Sequence, residues 1–423
     1  GSMEGEKIVQ AKSAVTYILE HLNPEDRFAI VEFSTGARIY SRSLEPASAT
    51  AEAIPWVERL MATGGTDINL ALLEGLALAE TERPTTLLFL TDGLPTEGET
   101  DPTGILANVA AAAPANVRLF AFGVGDDVDT FLLDSLVAAH HGTSTYVRPG
   151  QAVDETVSAF YAGISSPVLA NLEVEFGDVV VEDLYPKPLP DLFAGGQLVL
   201  IGRYRDGGPA TITLSGEVNG ERQSFSYDGL RFATNEEADF LPRLWATRRI
   251  GYLLNQIRLQ GEQREWVDAI VDLSVRYGIV TPYTSYLFTE DDILSAEGRT
   301  RVANDTFDAL QNTPPPPSSG AAAVNEAQNS GQMAAADVAQ APAAEYGEQI
   351  RLVGDRAFVL LDGVWTETTF DPESMTPIEV PFASDEYFAL LSSHPDLAAA
   401  FALGQGVIAI SDGLAYQVVP VAA

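Results

Sequence analysis

The stretch TLLFLTDG (residues 86–93) decides the fold class of this chain. Its apolar residues follow one another without alternation, which is typical of a strand buried on both faces of a parallel sheet. RFAIVEF (27–33) and VRLFAFGVG (117–125) are runs of the same kind. Three stretches with helical periodicity separate or follow these runs: INLALLEGLALAE (68–80), DPTGILANVAAAA (101–113) and DTFLLDSLVAAHH (129–141). The pattern predicts a doubly wound α/β domain with a mostly parallel sheet over residues 1–165.

The chain then changes to short strand patterns separated by polar turns. They are NLEVEF (171–176), DVVVEDLY (178–185), QLVLIGRY (197–204), PATITLSGEV (209–218) and RQSFSYDG (222–229). Their alternation predicts a β-sandwich-like module over residues 166–232. Residues 233–305 return to helical periodicity and are predicted as a helical region. We interpret its apolar stripe, from Leu241 to Ile257, as core.

The last part of the sequence divides into a linker and a small domain. Residues 306–348 are rich in Pro, Ala, Ser and Gly, and this composition predicts a disordered linker. Two later stretches, RAFVLLDGVWTETTF (356–370) and VIAISDGLAYQVV (407–419), each carry Asp-Gly between strand patterns, which indicates two hairpins. The helix-like stretch YFALLSSHPDLAAAFALG (387–404) lies between them. We therefore predict a small α+β domain over residues 349–423.

Charge and residue usage exclude several classes of function. The 423 residues include 60 acidic and 24 basic side chains, and the resulting net charge of −36 at pH 7 repels nucleic acids and anionic membrane surfaces. The chain has no cysteine, which excludes disulfide frameworks, thiolate zinc sites and cysteine nucleophiles. No run approaches the ~20 apolar residues of a membrane span. We expect no nucleic-acid partner and no membrane span in this chain.

The first three residues, Gly-Ser-Met, precede a helical pattern that has no strand before it. Such a start has two interpretations: the triplet is a remnant of cloning, or it is the end of a motif. We expect the second, in which Gly-Ser-Met is native and the domain lacks the first strand of its own sheet. An N-terminal fragment that supplies this strand would then be a partner of the chain.

Three segments of the predicted sheet would meet at the carboxyl ends of its strands, where ligand sites of open α/β sheets lie. They are Gly-Ser-Met, ATGGTDI (62–68) and LTDG (90–93). Each brings an oxygen ligand, from Ser2, Thr66 and Asp92. Hard cations such as Mg²⁺ bind oxygen ligands and usually keep several waters. Each motif by itself also has an ordinary structural interpretation, as a turn that ends a strand or as a capped helix start.

The order GSM, GGTD, LTDG resembles the metal-ion-dependent adhesion site of von Willebrand factor type A domains, whose first element reads Asp-x-Ser-x-Ser. The resemblance implies that Ser2 is the last serine of that element, Thr66 the threonine ligand and Asp92 the aspartate after the fourth strand. It also implies that the chain is N-terminally truncated within the metal-site motif, since the first aspartate and the first serine are absent.

Further segments resemble the inter-alpha-trypsin inhibitor heavy chains and their bacterial relatives. They are NPEDRFAIVEFS (23–34), GGTDINLAL (64–72), LLNQIRLQGE (253–262) and GIVTPYTSYLF (278–288). This resemblance covers about residues 1–290. It implies that a VIT domain precedes the type A domain. It also implies an extracytoplasmic protein, secreted or on the surface of a bacterial cell.

The resemblance implies a function in protein binding. A metal-ion-dependent adhesion site that holds Mg²⁺, Mn²⁺ or Ca²⁺ leaves an open position, which an exposed Glu or Asp of a protein partner completes. We expect no enzymatic activity, because we find no nucleophile–base pair in the sequence. Two alternatives stay open. One is a structural scaffold whose metal site is lost, and the other is a cytoplasmic type A subunit of an ATP-driven remodelling or metal-insertion machine.

Overall fold

The structure is a computed structural model that describes residues 2–218, 220–233, 240–284, 293–311, 317–338 and 349–420. The chain divides into two compact units. Unit 1 comprises Gly1–Thr234 and Pro316–Asn329, and unit 2 comprises Asn235–Pro315 and Ser330–Ala423. A transmembrane helix is not found among the described elements, because none combines the length and the apolar character that crossing a bilayer requires.

Unit 1 begins with an α/β part in which helices and strands alternate. Its helices are α1 (Glu6–Glu20), α2 (Thr50–Glu58), α3 (Ile68–Leu76), α4 (Pro102–Ala112), α5 (Thr130–Ala139) and α6 (Val153–Ile164). Its strands are β1 (Arg27–Phe28), β2 (Val31–Phe33), β3 (Ala37–Ile39), β4 (Glu45–Pro46), β5 (Thr85–Thr91), β6 (Val117–Val124) and β7 (Ser144–Val147).

A parallel sheet of the order β5-β6-β7 forms the centre of this part. Neighbouring residues of β6 belong to different core clusters: Leu119 packs in a cluster with α3, α4 and α5, whereas Phe120 packs in a cluster with α1 and α6. Both faces of the sheet are therefore covered by helices. This burial explains the continuous apolar runs, and it confirms the predicted doubly wound α/β domain.

The predicted strand over residues 27–33 is broken into two short strands. β1 pairs antiparallel with β4, and β2 pairs antiparallel with β3. Because each short strand has its own local partner, the run does not continue as one strand of the central sheet. Among the described residues β5 pairs with β6 alone, so β5 is an edge strand of the parallel sheet.

Aspartate side chains fix where three helices begin. Asp67 accepts a hydrogen bond from the backbone N–H of Leu70 and so caps α3, at 2.9 Å. Asp101 caps α4 and Asp129 caps α5 in the same way, each at 3.0 Å. A carboxylate at this position satisfies a free N–H group of the first turn and interacts favourably with the helix dipole.

The second part of unit 1 consists of antiparallel strands. They are β8 (Pro167–Glu175), β9 (Val180–Tyr185), β10 (Leu192–Phe193), β11 (Ile201–Arg205), β12 (Gly208–Val218) and β13 (Glu221–Phe232). Four of them form a sheet of the order β10-β8-β12-β13, and β9 pairs with β11 in a separate sheet. Two antiparallel sheets agree with the predicted β-sandwich-like module.

A buried ion pair joins the two parts of unit 1. Arg118 of β6 donates from Nε to Asp191 Oδ2 at 2.6 Å and from Nη2 to Asn171 Oδ1 at 2.6 Å. Both ionic groups are nearly inaccessible to solvent. Because removing one partner of a buried pair is costly, the α/β part and the β-rich part are coupled in stability.

Unit 2 contains the helical region and the C-terminal domain. Its helices are α7 (Phe240–Gln260), α8 (Arg264–Tyr277), α9 (Ala296–Gln311), α11 (Asp385–Ser393) and α12 (Leu397–Phe401), while α10 (Ala321–Ala334) is divided between the units. Its strands are β14 (Ile350–Val353), β15 (Arg356–Leu361), β16 (Val364–Glu367), β17 (Ile378–Pro381), β18 (Val407–Ser411) and β19 (Leu414–Val419). In the predicted stripe of α7, Ile257 is buried as expected, but Leu241 is exposed.

The two Asp-Gly signals of the C-terminal domain form hairpins as predicted. Asp362 and Gly363 connect β15 to β16, and Asp412 and Gly413 connect β18 to β19. All four residues have positive φ angles, which Asp and Gly tolerate better than most residues. The hairpins belong to a sheet of the order β14-β15-β16-β18-β19-β17, which packs on α11 and α12. The predicted α+β composition is therefore observed.

The prediction of a disordered linker over residues 306–348 differs from the structure in two places, at residues 306–311, which form the end of α9, and at α10. Val324 and Ala327 are buried in the core cluster that covers one face of the parallel sheet. They are three residues apart and so lie on one face of a helix, and the alanine-rich sequence favours helix formation. Composition alone did not reveal this short apolar face. Residues 312–316 and 339–348 of the predicted linker lie outside the described residues.

We predict that Val324→Ala lowers the free energy of unfolding by about 2 kcal/mol, because it leaves a cavity in the core of unit 1. Val338→Ala is the matched control, since Val338 is 72% exposed whereas Val324 is fully buried. The control should change stability by less than about 0.5 kcal/mol. Chemical denaturation of the two variants measures the difference. Equal effects would show that α10 does not pack in this core.

Candidate metal centre

The three predicted ligand residues lie together at the carboxyl end of β5. Asp92 directly follows β5, and its side chain is only 4% exposed. Ser2 donates a hydrogen bond from Oγ to Asp92 Oδ1 at 2.6 Å. A Cβ atom placed on Gly93 would lie 3.7 Å from both Ser2 Oγ and Thr66 Oγ1, so both hydroxyls flank that glycine. The structure thus brings together two hydroxyls and one carboxylate from three separate segments.

The loop that follows β5 holds Thr66 in place. The N–H of Thr66 donates to Thr96 Oγ1 at 2.9 Å, and the carbonyl of Thr66 accepts from the N–H groups of Thr96 and Glu97. A Cβ on Gly65 would lie 2.6 Å from Glu97 Cγ, so a larger residue there would push Glu97 away. The sequence analysis missed Thr96 and Glu97, because no local pattern shows that residues 30 positions apart are paired.

Lys7 is a further charged group of the site, and the sequence analysis missed it as well. Its Nζ lies 2.9 Å from Asp92 Oδ2, and its side chain is 39% exposed. A buried carboxylate needs hydrogen-bond or charge partners, and here Ser2 and Lys7 each contact one of its two oxygens. The signal available in the sequence was the short separation between Lys7 and Ser2. Lys7 lies in the first turn of α1, five positions after Ser2.

The donor set fits a hard divalent cation in the type of its ligands. Mg²⁺ is commonly bound by one or two carboxylates together with waters and other oxygens. No cluster of three or more acidic, His or Cys residues suited to a metal is found in the part of the chain that the structure describes. A cation at this edge would therefore depend on the hydroxyls of Ser2 and Thr66 and on Asp92. Such a cation would share Asp92 with Lys7, whose Nζ contacts Oδ2.

Comparison with known proteins agrees with this architecture. Residues 1–158 match the family model of the von Willebrand factor type A domain. This part of the chain is a von Willebrand factor type A domain. The domain contains the parallel sheet and all of the residues that surround Asp92 in the candidate centre. The recognition of the domain from the order of its three motifs is confirmed.

The chain is also similar to proteins that extend beyond this domain. It is 31% identical over 317 residues to human inter-alpha-trypsin inhibitor heavy chain H4, an alignment that covers 69% of this chain and 34% of the relative. The chain thus spans about a third of the length of the relatives it matches. The predicted similarity to these heavy chains is confirmed.

Solved structures of type A proteins are similar at lower identity. A von Willebrand factor type A protein from Catenulispora acidiphila is 18% identical, with a TM-score of 0.47 over 81% of this chain and 88% of the other. Proximal thread matrix protein 1 from the mussel byssus, described with a zinc-occupied MIDAS motif, is 20% identical. Its TM-score is 0.30, over 37% of this chain and 40% of the other.

We predict that Lys7→Met lowers the free energy of unfolding by about 1–3 kcal/mol when a chelator is present. The substitution removes the ammonium group that balances the charge of the buried Asp92 carboxylate. Lys12→Met is the matched control, since Lys12 lies on the same helix and donates to the backbone carbonyl of Glu58 rather than to a carboxylate. Thermal unfolding measures both variants. A loss that is equal in the two variants would contradict a specific role of the Lys7–Asp92 pair.

Proposed function

We propose that this chain binds another protein through a divalent cation held by Ser2, Thr66 and Asp92. The observation that carries the proposal is the convergence of these three oxygen-bearing side chains at one edge of the type A domain. The ion is Mg²⁺, with Mn²⁺ and Ca²⁺ as substitutes, because all three prefer oxygen ligands. The similarity to type A domain proteins supports the same assignment.

Charge explains how such a site would recognise a partner. Two neutral hydroxyls and one carboxylate leave a divalent cation with net positive charge. A Glu or Asp on the surface of a partner protein supplies both the missing charge and a further oxygen ligand. The chain itself then needs no nucleophile or general base, and we propose a binding protein rather than an enzyme.

The Lys7–Asp92 pair favours a second candidate, a structural scaffold whose metal site is lost. In that case the ammonium group of Lys7 permanently balances the charge of Asp92 in place of a metal ion. The two candidates differ in one measurable property, since only the first binds a divalent cation. The remaining alternative, a subunit of an ATP-driven machine, has no specific support in these residues.

The proposed location is extracytoplasmic, either secreted or on the cell surface. It is supported by the similarity to inter-alpha-trypsin inhibitor heavy chains. The chain spans only about a third of the length of those relatives.

We predict that Asp92→Ala removes Mg²⁺ and Mn²⁺ binding, since it deletes the carboxylate of the candidate centre. Asp127→Ala is the matched control: Asp127 is an exposed aspartate in the loop after β6, the strand next to β5 in the parallel sheet. Isothermal titration calorimetry of the two variants and the parent chain gives the affinities. Cation binding that survives in Asp92→Ala would refute the assignment of the site.

Lys7→Met should strengthen Mn²⁺ binding by about tenfold, which corresponds to ~1.4 kcal/mol. The substitution removes the lysine ammonium group that competes with Mn²⁺ for Asp92 Oδ2. Lys12→Met should leave the affinity unchanged. The scaffold candidate predicts instead that neither the parent chain nor either lysine variant binds the ion. The titration therefore separates the two candidate functions.

A further inference from the structure

The strand β13 forms one edge of the four-stranded antiparallel sheet of unit 1. Among the described residues it pairs with β12 alone. The strand is twelve residues long, and residues 221–231 are all exposed. An exposed edge of this length presents a row of N–H and C=O groups with which a further strand can pair.

One face of β13 carries exposed aromatic side chains. Successive side chains of a strand alternate between its two faces, so Phe225 and Tyr227 lie on the same face. The register places Phe225 opposite Leu214 of β12, and Tyr227 lies opposite Ile212. Phe225 is 46% exposed and Tyr227 is 52% exposed. Because aromatic side chains are enriched at protein interfaces, this edge is a candidate surface for association.

Charged side chains of opposite sign flank these aromatic residues. Arg222 donates from Nη2 to Ser215 Oγ at 3.0 Å and forms an ion pair with Glu173, in which both side chains are mostly exposed. Asp228 accepts a hydrogen bond from Thr211 Oγ1 at 2.9 Å. Exposed contacts of this kind contribute little to stability, so the charges of Arg222 and Asp228 can also interact with a partner.

The segment RQSFSYD (222–228) is self-complementary when two copies of it run antiparallel. A two-fold axis at Phe225 places Arg222 of each copy opposite Asp228 of the other, and the two Phe225 side chains become neighbours. The remaining opposed pairs are Gln223 with Tyr227 and Ser224 with Ser226. Opposite charges, aromatic pairs and hydroxyl pairs at directly opposed positions all stabilise antiparallel strands.

Other arrangements lose the charge pairing. In a parallel arrangement in register, Arg222 would lie beside its own copy and Asp228 beside its own copy. Moving the antiparallel axis by one residue, to Ser224 or to Ser226, would leave Arg222 and Asp228 opposite uncharged residues. Charges on an edge strand usually prevent pairing, whereas these two charges favour one particular register.

We propose that β13 is a dimer interface, at which two copies of this chain pair antiparallel about Phe225. The four-stranded sheets of the two copies then form one continuous sheet. The occupant of the edge is a second copy because the charge pattern of residues 222–228 complements itself. The interface uses only exposed residues of β13 and is independent of the proposed cation.

The first experiment reverses one charge at a time. In Arg222→Asp both symmetry-related contacts become pairs of aspartates, and in Asp228→Arg both become pairs of arginines. An equimolar mixture of the two variants restores opposite charges, but only in mixed dimers. Arg205→Asp is the matched control, since Arg205 is an exposed arginine in an exposed ion pair on β11.

Sedimentation equilibrium measures the dissociation constant of each sample. A chelator is present throughout, so that failure of the metal proposal cannot affect the result. The buffer contains about 0.15 M salt, because chains of net charge −36 repel each other at low ionic strength.

We expect the parent chain and Arg205→Asp to dimerise with the same affinity. Each interface variant should weaken dimerisation by at least roughly tenfold, and the mixture should recover the affinity of the parent. A monomeric parent chain overturns the proposal and leaves the edge to a strand of a different protein. Equal affinities of the parent and both variants, or a mixture as weak as its components, also overturn it.

A second experiment tests the register with single cysteines, since the chain has no cysteine of its own. Directly opposed Cα atoms of antiparallel strands lie about 4.5–5.5 Å apart, which a disulfide can span. Phe225→Cys should therefore form a covalent dimer under mild oxidation. Ser226→Cys is the control, because the two copies of this residue would lie two positions out of register. Equal cross-linking of the two variants would contradict the axis at Phe225.

Discussion

The burial of both faces of the β5-β6-β7 sheet is the constraint on which the rest of unit 1 depends. Successive side chains of a strand point to opposite faces, so the central residues of β5 and β6 form continuous apolar runs. Polar and charged groups are consequently displaced to the ends of the strands. Because the strands are parallel, their carboxyl ends meet at one edge. The loop after β5 lies beside the start of α3, since a Cβ placed on Gly98 would meet the carboxylate of Asp67, which caps that helix.

This displacement places Asp92 in an environment where its charge must be balanced. Its side chain is almost completely buried, and Ser2 and Lys7 occupy its two oxygens. The proposed divalent cation would balance the same carboxylate charge that the Lys7 ammonium group balances in this structure. The stability of the domain and its proposed binding activity are therefore connected through a single side chain.

Local pairing shapes the segment over residues 27–33. Its two short strands, β1 and β2, pair with β4 and β3 rather than with the parallel sheet. The predicted continuous strand is therefore interrupted, because each short strand finds its hydrogen-bonding partner close in the chain.

Sequence patterns determined the features that depend on neighbouring residues. The continuous apolar run of β5, the Asp-Gly hairpin at Asp412 and the helical period of α3 were all predictable, because burial and turn geometry act on residues close in the chain. The order of the three motifs, through its resemblance to a known adhesion site, predicted that Ser2, Thr66 and Asp92 lie at the edge where ligand sites of open α/β sheets are found.

Only the tertiary structure decided the features that depend on distant residues. The ion pair of Lys7 with Asp92 joins residues 85 positions apart in the chain. The hydrogen bond between Thr66 and Thr96 joins residues 30 positions apart. The burial of Val324 against the parallel sheet joins segments that are still farther apart. Composition and periodicity describe what a segment prefers by itself. Composition and periodicity do not show which charged group, hydroxyl or core surface packs against a segment. The packing of the whole unit determines these contacts.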